Sequence, residues 1–259
     1  MVLNETLSMI ILAIIQGITE WLPVSSSGHL VFAEKILGFE GGLLFDVALH
    51  FGTLMAVFVY FGGDIVDIVR DLISGKWKSD NGKLGLLILI ATIPAAIIGF
   101  FFKSVFETSF SNLGIVAFGF AITGILLLIA SLSKYEKKEI KSGEAIAIGI
   151  AQVFSLFPGV SRSGATISTG MLLGLKEKDA LKFSFLMSIP IILGANILVI
   201  GNETFPANMI WAVLISFVVG LITLHLLYRY ILTSRRNLKW FGVYALFVAF
   251  LALVFLFLG

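Results

Sequence analysis

The chain lacks cysteine altogether and is poor in charged residues. Its 259 residues include no Cys, which excludes disulfides and cysteine-ligated metal sites. Charged residues make up 13%, against the roughly 25% that is typical of soluble domains. Hydrophobic residues make up 58%, and the mean hydropathy is +1.04. Because one core could not bury so much apolar surface, lipid must cover part of it, and the sequence predicts an integral membrane protein.

Several common sequence signatures are also missing. The chain has no glycine-rich phosphate loop of the nucleotide-binding kind and no zinc-protease helix motif. The first apolar run has no Lys or Arg ahead of it, which argues against a cleaved signal peptide. The net charge of +2 says little about partners by itself, and no nucleic-acid partner is expected.

Six apolar segments are long enough to span a bilayer, which takes about 20 residues per helix. These predicted spans are 43–62, 84–103, 113–132, 180–201, 207–229 and 240–258. Together with two shorter apolar regions they form one membrane domain, 1–259. We therefore expect an all-α polytopic membrane protein.

The two remaining apolar regions are each interrupted by a polar stretch. Their apolar segments are 3–22, 25–38, 144–157 and 164–174. Three of these are too short to span, and the first has Glu20 and Pro23 at its inner end. The economical interpretation is two re-entrant helical hairpins, 3–38 and 144–174. Broken helices are tolerated at membrane depth where protein or a water-filled cavity surrounds them.

The polar stretches 16–29 and 152–164 look like copies of one another. At a constant offset of 136 residues the identical pairs include Gln16/Gln152, Ser25/Ser161, Ser27/Ser163 and Gly28/Gly164. Eight of 28 positions are identical between 11–38 and 147–174. The repeats would be 1–132 and 144–259, each a hairpin followed by three spans. Since three is odd, the second repeat must be inverted, and the two hairpin tips would meet near the midplane.

Basic residues are distributed unevenly between the predicted loops. The side that holds loop 63–83 carries Arg70, Lys76, Lys78, Lys83, Lys134, Lys137, Lys138, Lys141, Lys176, Lys178, Lys182, Arg229, Arg235, Arg236 and Lys239. The other side carries only Lys35 and Lys103. By the positive-inside rule the first side is cytoplasmic, and both termini lie outside.

The polar stretches have the residues of an anion site. Pro23 and Pro158 are expected to stop the incoming helices, and the serines that follow are good N-caps for the outgoing ones. A helix N-terminus presents unpaired N–H groups and partial positive charge. Two such termini would converge, and Arg162 adds donors suited to phosphate oxygens. This combination favours binding of a phosphate or diphosphate.

Glu20 and His29 add groups that binding alone does not need. Glu20 could ligate a divalent cation that bridges phosphate oxygens, with the carbonyl of Gln16 one helical turn earlier on the same face. His29 follows Ser26 by three residues on the outgoing helix. Such a pair suggests either a nucleophile with its base or a base acting on water.

Both motifs resemble those of the undecaprenyl-diphosphate phosphatase family of the bacitracin-resistance type. The matching residues are Gln16-x-x-x-Glu20, Pro23-Val24-Ser25-Ser26-Ser27-Gly28-His29 and Pro158-Gly159-Val160-Ser161-Arg162-Ser163-Gly164-Ala165-Thr166. The resemblance covers essentially the whole chain. It implies removal of the terminal phosphate from a C55 polyprenyl diphosphate, which recycles the lipid carrier for cell-envelope glycan synthesis. It further implies a divalent cation, Mg²⁺ or Ca²⁺, and a site that faces outward.

The resemblance also assigns roles to residues. The catalytic set would be Glu20, Ser26, His29 and Arg162. The substrate-binding set would be Gln16, Ser25, Ser27, Gly28, Ser161, Ser163, Gly164 and Thr166. Glu20 would hold the metal, with Gln16 as a second candidate ligand. Many members have Glu at that second position, so this chain has one charge fewer there. Attack by Ser26, by His29 or by metal-activated water stays open.

Structural interpretations compete with these roles. The cap serines are favoured as helix caps and packing residues rather than catalysts. Glu20 and Arg162 could simply neutralise each other. Asp46 and His50 share a helical face and are interpreted as an interfacial hydrogen-bonded pair. The rival function is a transporter or flippase for a phosphorylated lipid or small anion, since inverted repeats are a transporter plan. The oligomeric state stays open, with a homodimer as one alternative.

Overall fold

The computed structural model describes residues 4–39, 41–134, 139–200 and 209–258, which are helical throughout apart from turns and loops. The helices are α1 (Glu5–Thr19), α2 (Ser26–Leu37), α3 (Gly42–Tyr60), α4 (Gly62–Ile73), α5 (Asp80–Phe101), α6 (Lys103–Phe110), α7 (Leu113–Ser131), α8 (Ser142–Phe154), α9 (Arg162–Leu172), α10 (Glu177–Ile200), α11 (Ile210–Leu226) and α12 (Leu238–Leu258). A π-helical turn, Leu227–Ile231, extends α11, and a 3₁₀ turn, Arg235–Asn237, precedes α12.

Six of the helices in the described part are long and apolar enough to cross a membrane: α3, α5, α7, α10, α11 and α12. They coincide with the six predicted spans, which confirms an all-α polytopic membrane protein. The largest difference is at α5, which begins at Asp80 rather than at residue 84. It starts earlier because the Ser79 hydroxyl accepts a hydrogen bond from the Gly82 N–H (3.0 Å) and caps the helix.

Two short helices lie where the sequence predicted only loops. α4 occupies most of the predicted loop 63–83, and its Ile68 is buried against α5. Its opposite side is charged: Asp64 accepts a hydrogen bond from Lys182 Nζ at 2.6 Å. The high charge concealed the amphipathic pattern of α4. The second, α6, links α5 to α7.

Both polar stretches form a helix–loop–helix unit of the same design. α1 ends at Thr19 and α8 ends at Phe154, each four residues before the proline of its loop. A proline ring collides with the carbonyl four residues before it, which explains this spacing. Pro23 and Pro158 therefore end the incoming helices as predicted.

The helices that leave the loops also match between the two units. Ser25 caps α2, and Ser161 caps α9. α2 is followed by Gly38 and α9 by Leu173 and Gly174, and both glycines have positive φ, 63° and 90°. Glycine accepts this conformation without steric cost. The two units thus share their capping features, while the division of the chain into two repeats stays a prediction.

Each unit packs mainly on a span from the other half of the chain. α1 packs on α11, and α8 packs on α5. The reciprocal packing is what an inverted repeat would give, while the re-entrant and inverted arrangement stays a prediction. Lys137 and Lys138 of the predicted inner loop lie outside the described residues, as do the chain ends and the junction 201–208.

Candidate active site

The tips of the two helix–loop–helix units contact each other. The Ser163 hydroxyl of the second loop donates to the Leu22 carbonyl of the first at 3.0 Å. Arg162 Nη2 donates to Glu20 Oε1 at 2.5 Å, which forms an ion pair across the same junction. The predicted convergence of the two tips is therefore observed directly.

Two glycines allow this close approach. A Cβ on Gly28 would lie 2.6 Å from the ring of Phe120 and 2.9 Å from Gly159 Cα of the second loop. A Cβ on Gly164 would lie 3.2 Å from the Pro23 carbonyl oxygen of the first loop. The absence of a side chain at both positions lets the two backbones come into contact.

Serine caps hold the two helix N-termini in the same way. Ser25 Oγ accepts from the Gly28 N–H at 3.3 Å, and Ser161 Oγ accepts from the Gly164 N–H at 2.9 Å. Each cap hydroxyl also lies beside the serine two residues later. The Oγ–Oγ distance is 3.3 Å between Ser25 and Ser27 and 3.2 Å between Ser161 and Ser163. The loops therefore present two capped helix N-termini, where anions are stabilised.

Glu20 lies at the centre of the junction and is only 6% exposed. Besides Arg162, its carboxylate accepts from Ser26 Oγ at 2.6 Å and from Gln16 Nε2 at 3.0 Å. His50 Nε2 lies 3.4 Å from Glu20 Oε2. A buried carboxylate is costly unless donors surround it, and three side chains, Gln16, Ser26 and Arg162, donate to it here.

Arg162 contacts Trp21 and Ser184 in addition to Glu20. Its guanidinium lies 5.5 Å from the Trp21 ring centroid, and Nη1 contacts the Ser184 carbonyl at 3.5 Å. A guanidinium has five N–H groups, and the bonds to Glu20 and Ser184 use two of them. Further N–H groups can therefore donate to phosphate oxygens while Arg162 stays paired.

A cavity of about 250 Å³ opens at this junction between the loops and helices α3 and α10. The predicted site residues that line it are Glu20, Ser25, Ser26, Ser27, Ser161, Arg162 and Ser163. Ser26 and Arg162 are the first residues of α2 and α9, so both helix N-termini face the same space. This cavity is the candidate active site.

The structure places His29 beside the cavity rather than in its wall. His29 Nδ1 donates to the Ser25 carbonyl at 2.6 Å, and Nε2 lies 2.8 Å from the Tyr244 hydroxyl. The imidazole also stacks on the Tyr244 ring, with centroids 5.7 Å apart, and meets the Phe120 ring edge-on. The predicted pairing of His29 with Ser26 is not formed, because a backbone carbonyl takes its place.

Four other predicted residues support the cavity from behind. Gln16, Gly28 and Gly164 hold Glu20 and the loop contact as described above. Thr166 donates to the Arg162 carbonyl at 2.8 Å and lies 2.6 Å from the Ser184 hydroxyl of α10. Thr166 thus fixes the first turn of α9, which carries Arg162, to a neighbouring helix.

His50 lies at the site, although the sequence analysis interpreted it only as part of an interfacial pair with Asp46. The predicted hydrogen-bonded pair of Asp46 and His50 is present, and it is formed by His50 Nδ1 and the Asp46 backbone carbonyl at 2.7 Å. This bond directs Nε2 toward Glu20. Both residues line the cavity. The signal in the sequence was an ionisable residue on the span that directly follows the first polar loop.

Gln152 is the second residue that the sequence interpretation left out of the site. It lines the cavity, is 1% exposed, and neither its amide nitrogen nor its amide oxygen has a hydrogen-bond partner among the described residues. A buried amide without partners is costly, so its donors and acceptor are available to a molecule in the cavity. The sequence signal was the repeat itself, since Gln152 corresponds to Gln16.

Glu20 and Gln16 are the residues that could hold a divalent cation bound to a phosphate. Glu20 supplies a carboxylate, and Gln16 Oε1 is buried without a hydrogen-bond partner in the described part of the chain. Residues 4–39, 41–134, 139–200 and 209–258 contain no cluster of three or more His, Asp or Glu side chains arranged for a metal. Mg²⁺ commonly uses one or two carboxylates together with water and phosphate oxygens, which matches this set.

Comparison with known proteins agrees with the site. The family model of the bacitracin resistance protein BacA matches residues 9–251. An undecaprenyl-diphosphatase of Caldicellulosiruptor bescii is 42% identical over 262 residues, which cover 96% of this chain and 97% of the relative. One from Thermosipho melanesiensis is 40% identical over 247 residues (95% and 97%), and one from Methanococcus maripaludis is 38% identical over 250 residues (95% and 99%). The match extends over nearly the whole length of both partners, so the chain belongs to the BacA family of bacitracin resistance proteins.

Proposed function

We propose that the protein removes the terminal phosphate from undecaprenyl diphosphate, or a related polyprenyl diphosphate, and yields the monophosphate and inorganic phosphate. The product is the carrier lipid of cell-envelope glycan synthesis, and its recycling would confer bacitracin resistance. Family membership and the names of the relatives support this reaction.

One observation carries the proposal: Ser26, Glu20 and Arg162 come together from the two loops at one cavity. Ser26 Oγ donates to Glu20 at 2.6 Å, and Glu20 pairs with Arg162. A hydroxyl bonded to a carboxylate is the arrangement of a nucleophile with its base. A guanidinium beside them is suited to a phosphoryl group. A pure anion binder would have no use for the buried carboxylate.

The geometry favours Ser26 as the nucleophile. Ser26 Oγ would attack the terminal phosphorus while Glu20 accepts its proton. The bond between that phosphorus and the bridging oxygen breaks, and the polyprenyl monophosphate leaves. Water then hydrolyses the phosphoserine, which regenerates the Ser26 hydroxyl and releases phosphate. His29, the nucleophile in one alternative, has both ring nitrogens engaged by Ser25 and Tyr244.

Arg162 and the two helix N-termini would stabilise the charge on the transferring group. Phosphoryl transfer relies on positioned donors rather than on elaborate covalent chemistry. The free N–H groups of Arg162, the amide of Gln152 and the first turns of α2 and α9 all face the cavity or begin at its wall. Removing one such donor typically costs about 10²–10³ in rate.

Glu20, with Gln16, would hold a divalent cation, Mg²⁺ or Ca²⁺. Such a cation would neutralise phosphate charge and polarise the phosphoryl oxygens. The chain's own residues would then keep the diphosphate aligned with Ser26.

The predicted topology suits a substrate of the outer leaflet of the plasma membrane. The cavity is lined by residues 43–50 of α3 and 191–196 of α10, in the halves of these spans that the charge bias assigns to the outside. In this arrangement both termini lie outside and the basic loops are cytoplasmic. The two inverted repeats would bring the tips together from opposite faces, with the substrate's diphosphate between them.

Phosphate release by the purified protein tests the reaction. Wild-type protein in detergent should release phosphate from undecaprenyl diphosphate, with a rate that rises on addition of Mg²⁺ or Ca²⁺ and falls with chelator. Ser26→Ala should lose at least about 10² in kcat, since it removes both nucleophile and donor. Ser168→Ala is the control, because Ser168 is a buried serine of α9 that lies outside the cavity wall.

The rival function predicts a different outcome. If the protein is a transporter or flippase, labelled lipid phosphate should cross proteoliposome membranes without release of inorganic phosphate. Full phosphatase activity in Ser26→Ala would leave the proposed hydrolase function standing but would refute Ser26 as the nucleophile.

A further inference from the structure

An apolar cleft runs along the membrane-facing side of the protein between α5 and α10. Its volume is about 520 Å³. The residues that form its walls include Thr92, Ala96, Phe100, Pro190, Gly194 and Leu198. The hydroxyl of Thr92 donates to the Ile88 carbonyl at 2.8 Å within its own helix, so this polar group needs no further partner. The cleft therefore offers a hydrocarbon surface.

The cleft is continuous with the candidate active site. Leu156 of the second loop, with Ile191 and Ala195 of α10, lines both the cleft and the catalytic cavity. Leu156 corresponds to Glu20 in the repeat. The first loop therefore lines the cavity with an acidic side chain at this position, and the second loop lines it with an apolar one. The cavity thus passes from polar to apolar at Leu156.

A second cavity adjoins the site and has a mixed lining. It shares Leu43, Asp46 and Phe110 with the catalytic cavity, and its wall also includes the charged residues Glu34, Lys35 and Glu107. Among the described residues, the wall of the α5–α10 cleft contains no charged residue, so the cleft is the better match for a hydrocarbon chain.

The catalytic cavity is too small for a long lipid. Its volume of about 250 Å³ lies below the range of about 300–1,000 Å³ that is usual for ligand pockets. It can take phosphate groups, but a polyprenyl chain has to lie outside it.

We infer that the α5–α10 cleft binds the first isoprene units of the polyprenyl chain, with Leu156 at the boundary between diphosphate and hydrocarbon. The inference rests on the proposed function and extends it to the path of the tail. Its occupant is the hydrocarbon portion of the substrate whose diphosphate lies between Ser26 and Arg162.

Both helices have features that keep the cleft open. A Cβ on Gly194 would meet no atom within 4 Å, so this glycine leaves a notch in α10. Gly99 forms a similar notch in α5, where a Cβ would lie 3.5 Å from Leu156. Pro94 and Pro190 lie inside α5 and α10, and each removes one hydrogen bond of its helix ladder. Such positions allow a helix to bend away from its neighbour.

The cleft would act through shape rather than through hydrophobicity. Lipid tails are as apolar as the cleft walls, so the isoprenoid gains little by leaving one for the other. A fitted groove instead fixes the direction in which the tail leaves, and this aligns the diphosphate with Ser26. A side chain that fills the groove should therefore harm long substrates much more than short ones.

A graded substitution series at Gly194 tests the inference. Gly194→Ala, Gly194→Leu and Gly194→Phe fill the notch progressively, and the open space around the Cβ position keeps steric damage to the fold small. Gly143→Phe is the matched control, since a Cβ on Gly143 also meets no atom within 4 Å and Gly143 lies at the start of α8. For each variant kcat/KM is measured with undecaprenyl diphosphate and with the C5 ester dimethylallyl diphosphate.

We expect the ratio of kcat/KM for the C55 substrate to that for the C5 substrate to fall in the order Ala, Leu, Phe. The fall should reach at least tenfold in Gly194→Phe, while Gly143→Phe keeps the wild-type ratio. Equal effects on both substrates, or an unchanged ratio in Gly194→Phe, would refute binding of the polyprenyl chain in the cleft. The proposed hydrolase function would be unaffected by that result. A wild-type protein that hydrolyses neither substrate would refute the proposed function and the cleft with it.

Discussion

The two loops share a backbone design and differ in the side chains that carry chemistry. Both have a serine cap, a second serine and a close-packed glycine at matching positions, and a proline that is offset by one residue between the two loops. They differ where the repeat pairs Glu20 with Leu156, Ser26 with Arg162 and His29 with Ala165. The shared positions build two helix N-termini that favour an anion. The positions that differ supply an acid, a hydroxyl and a guanidinium, and in the proposed mechanism these unlike residues carry the chemistry.

The loops also differ in where they place an unusual backbone angle. In the first loop the cap residue Ser25 has φ +70°, and it is the only non-glycine residue with positive φ in the described part of the chain. In the second loop the cap Ser161 has an ordinary φ of −70°, and the positive φ of 90° falls on Gly159. A non-glycine residue in such a conformation costs about 1–3 kcal/mol. The first loop, which holds Glu20, is thus the strained one.

Making the loops alike at the Ser26/Arg162 position should have the largest effect. Arg162→Ser gives both helices a serine at their first residue and removes the guanidinium from the cavity. We expect kcat for phosphate release to fall by about 10²–10³ or more. We also expect a lower thermal stability, since breaking a buried ion pair costs about 3–5 kcal/mol.

The double variant Glu20→Gln, Arg162→Ser separates these two effects. Without the carboxylate no buried charge is left unpaired, so a large part of the lost unfolding free energy should return while phosphate release stays absent. Recovery of activity together with stability would mean that Arg162 only neutralises Glu20.

The two histidines of the first repeat should differ in importance. His50 contacts Glu20, whereas His29 contacts Ser25 and Tyr244. His50→Phe should reduce kcat/KM by roughly 10- to 100-fold, which corresponds to the loss of about 1.5–3 kcal/mol for an interaction with a charged group. His29→Phe should cost less than tenfold. Steady-state phosphate release by the two variants decides the order, and complete inactivity of His29→Phe alone would restore His29 as the nucleophile.

The two buried glutamines should respond in opposite directions to the same substitution. Gln16 donates to Glu20, so Gln16→Leu should lower the unfolding free energy by about 1–3 kcal/mol. Gln152 has no partner within the described residues, so Gln152→Leu should keep or raise stability while it raises KM several-fold. Thermal unfolding and substrate titration of both variants provide the test. A Gln152→Leu variant with lowered stability and unchanged KM would show a structural role instead.

The smallest effect should come from the strained cap. Ser25→Gly relieves the positive φ and loses one cap hydrogen bond, and replacing a cap by glycine costs only a few tenths of a kcal/mol. The net result should be a gain of about 1 kcal/mol in unfolding free energy. Ser161→Gly has no strain to relieve and should lose stability slightly. Parallel denaturation curves compare the pair, and equal losses in both would show that Ser25 is unstrained.

The sequence predicted the spans and most of the site for identifiable reasons. Apolar runs of about 20 residues are typical of helices that cross a bilayer. A proline followed by serines indicates where one helix ends and the next begins. The sequence repeat predicted that the two loops meet. Pairing between Glu20 and Arg162 was the structural alternative to their functional roles, because charges within a membrane pair with one another.

What the sequence missed depends on side-chain direction and tertiary packing. The ring of His29 turns toward Tyr244, a residue 215 positions away that no local pattern connects to it. His50 points at Glu20 because its other nitrogen bonds to a backbone carbonyl. α4 was missed because its charged side made residues 62–73 look like a loop. Such features follow from packing partners, which spacing alone does not specify.

In the proposed mechanism the two unlike loops jointly hold the diphosphate for attack by Ser26. A structure with a bound non-hydrolysable prenyl methylenediphosphonate would show whether they do. We predict the terminal phosphonate between Ser26 Oγ and the Arg162 guanidinium, within hydrogen-bond distance of both and beside Glu20. A phosphonate bound away from the loop junction, with Ser26 still donating to Glu20 and no contact to Arg162, would contradict the account.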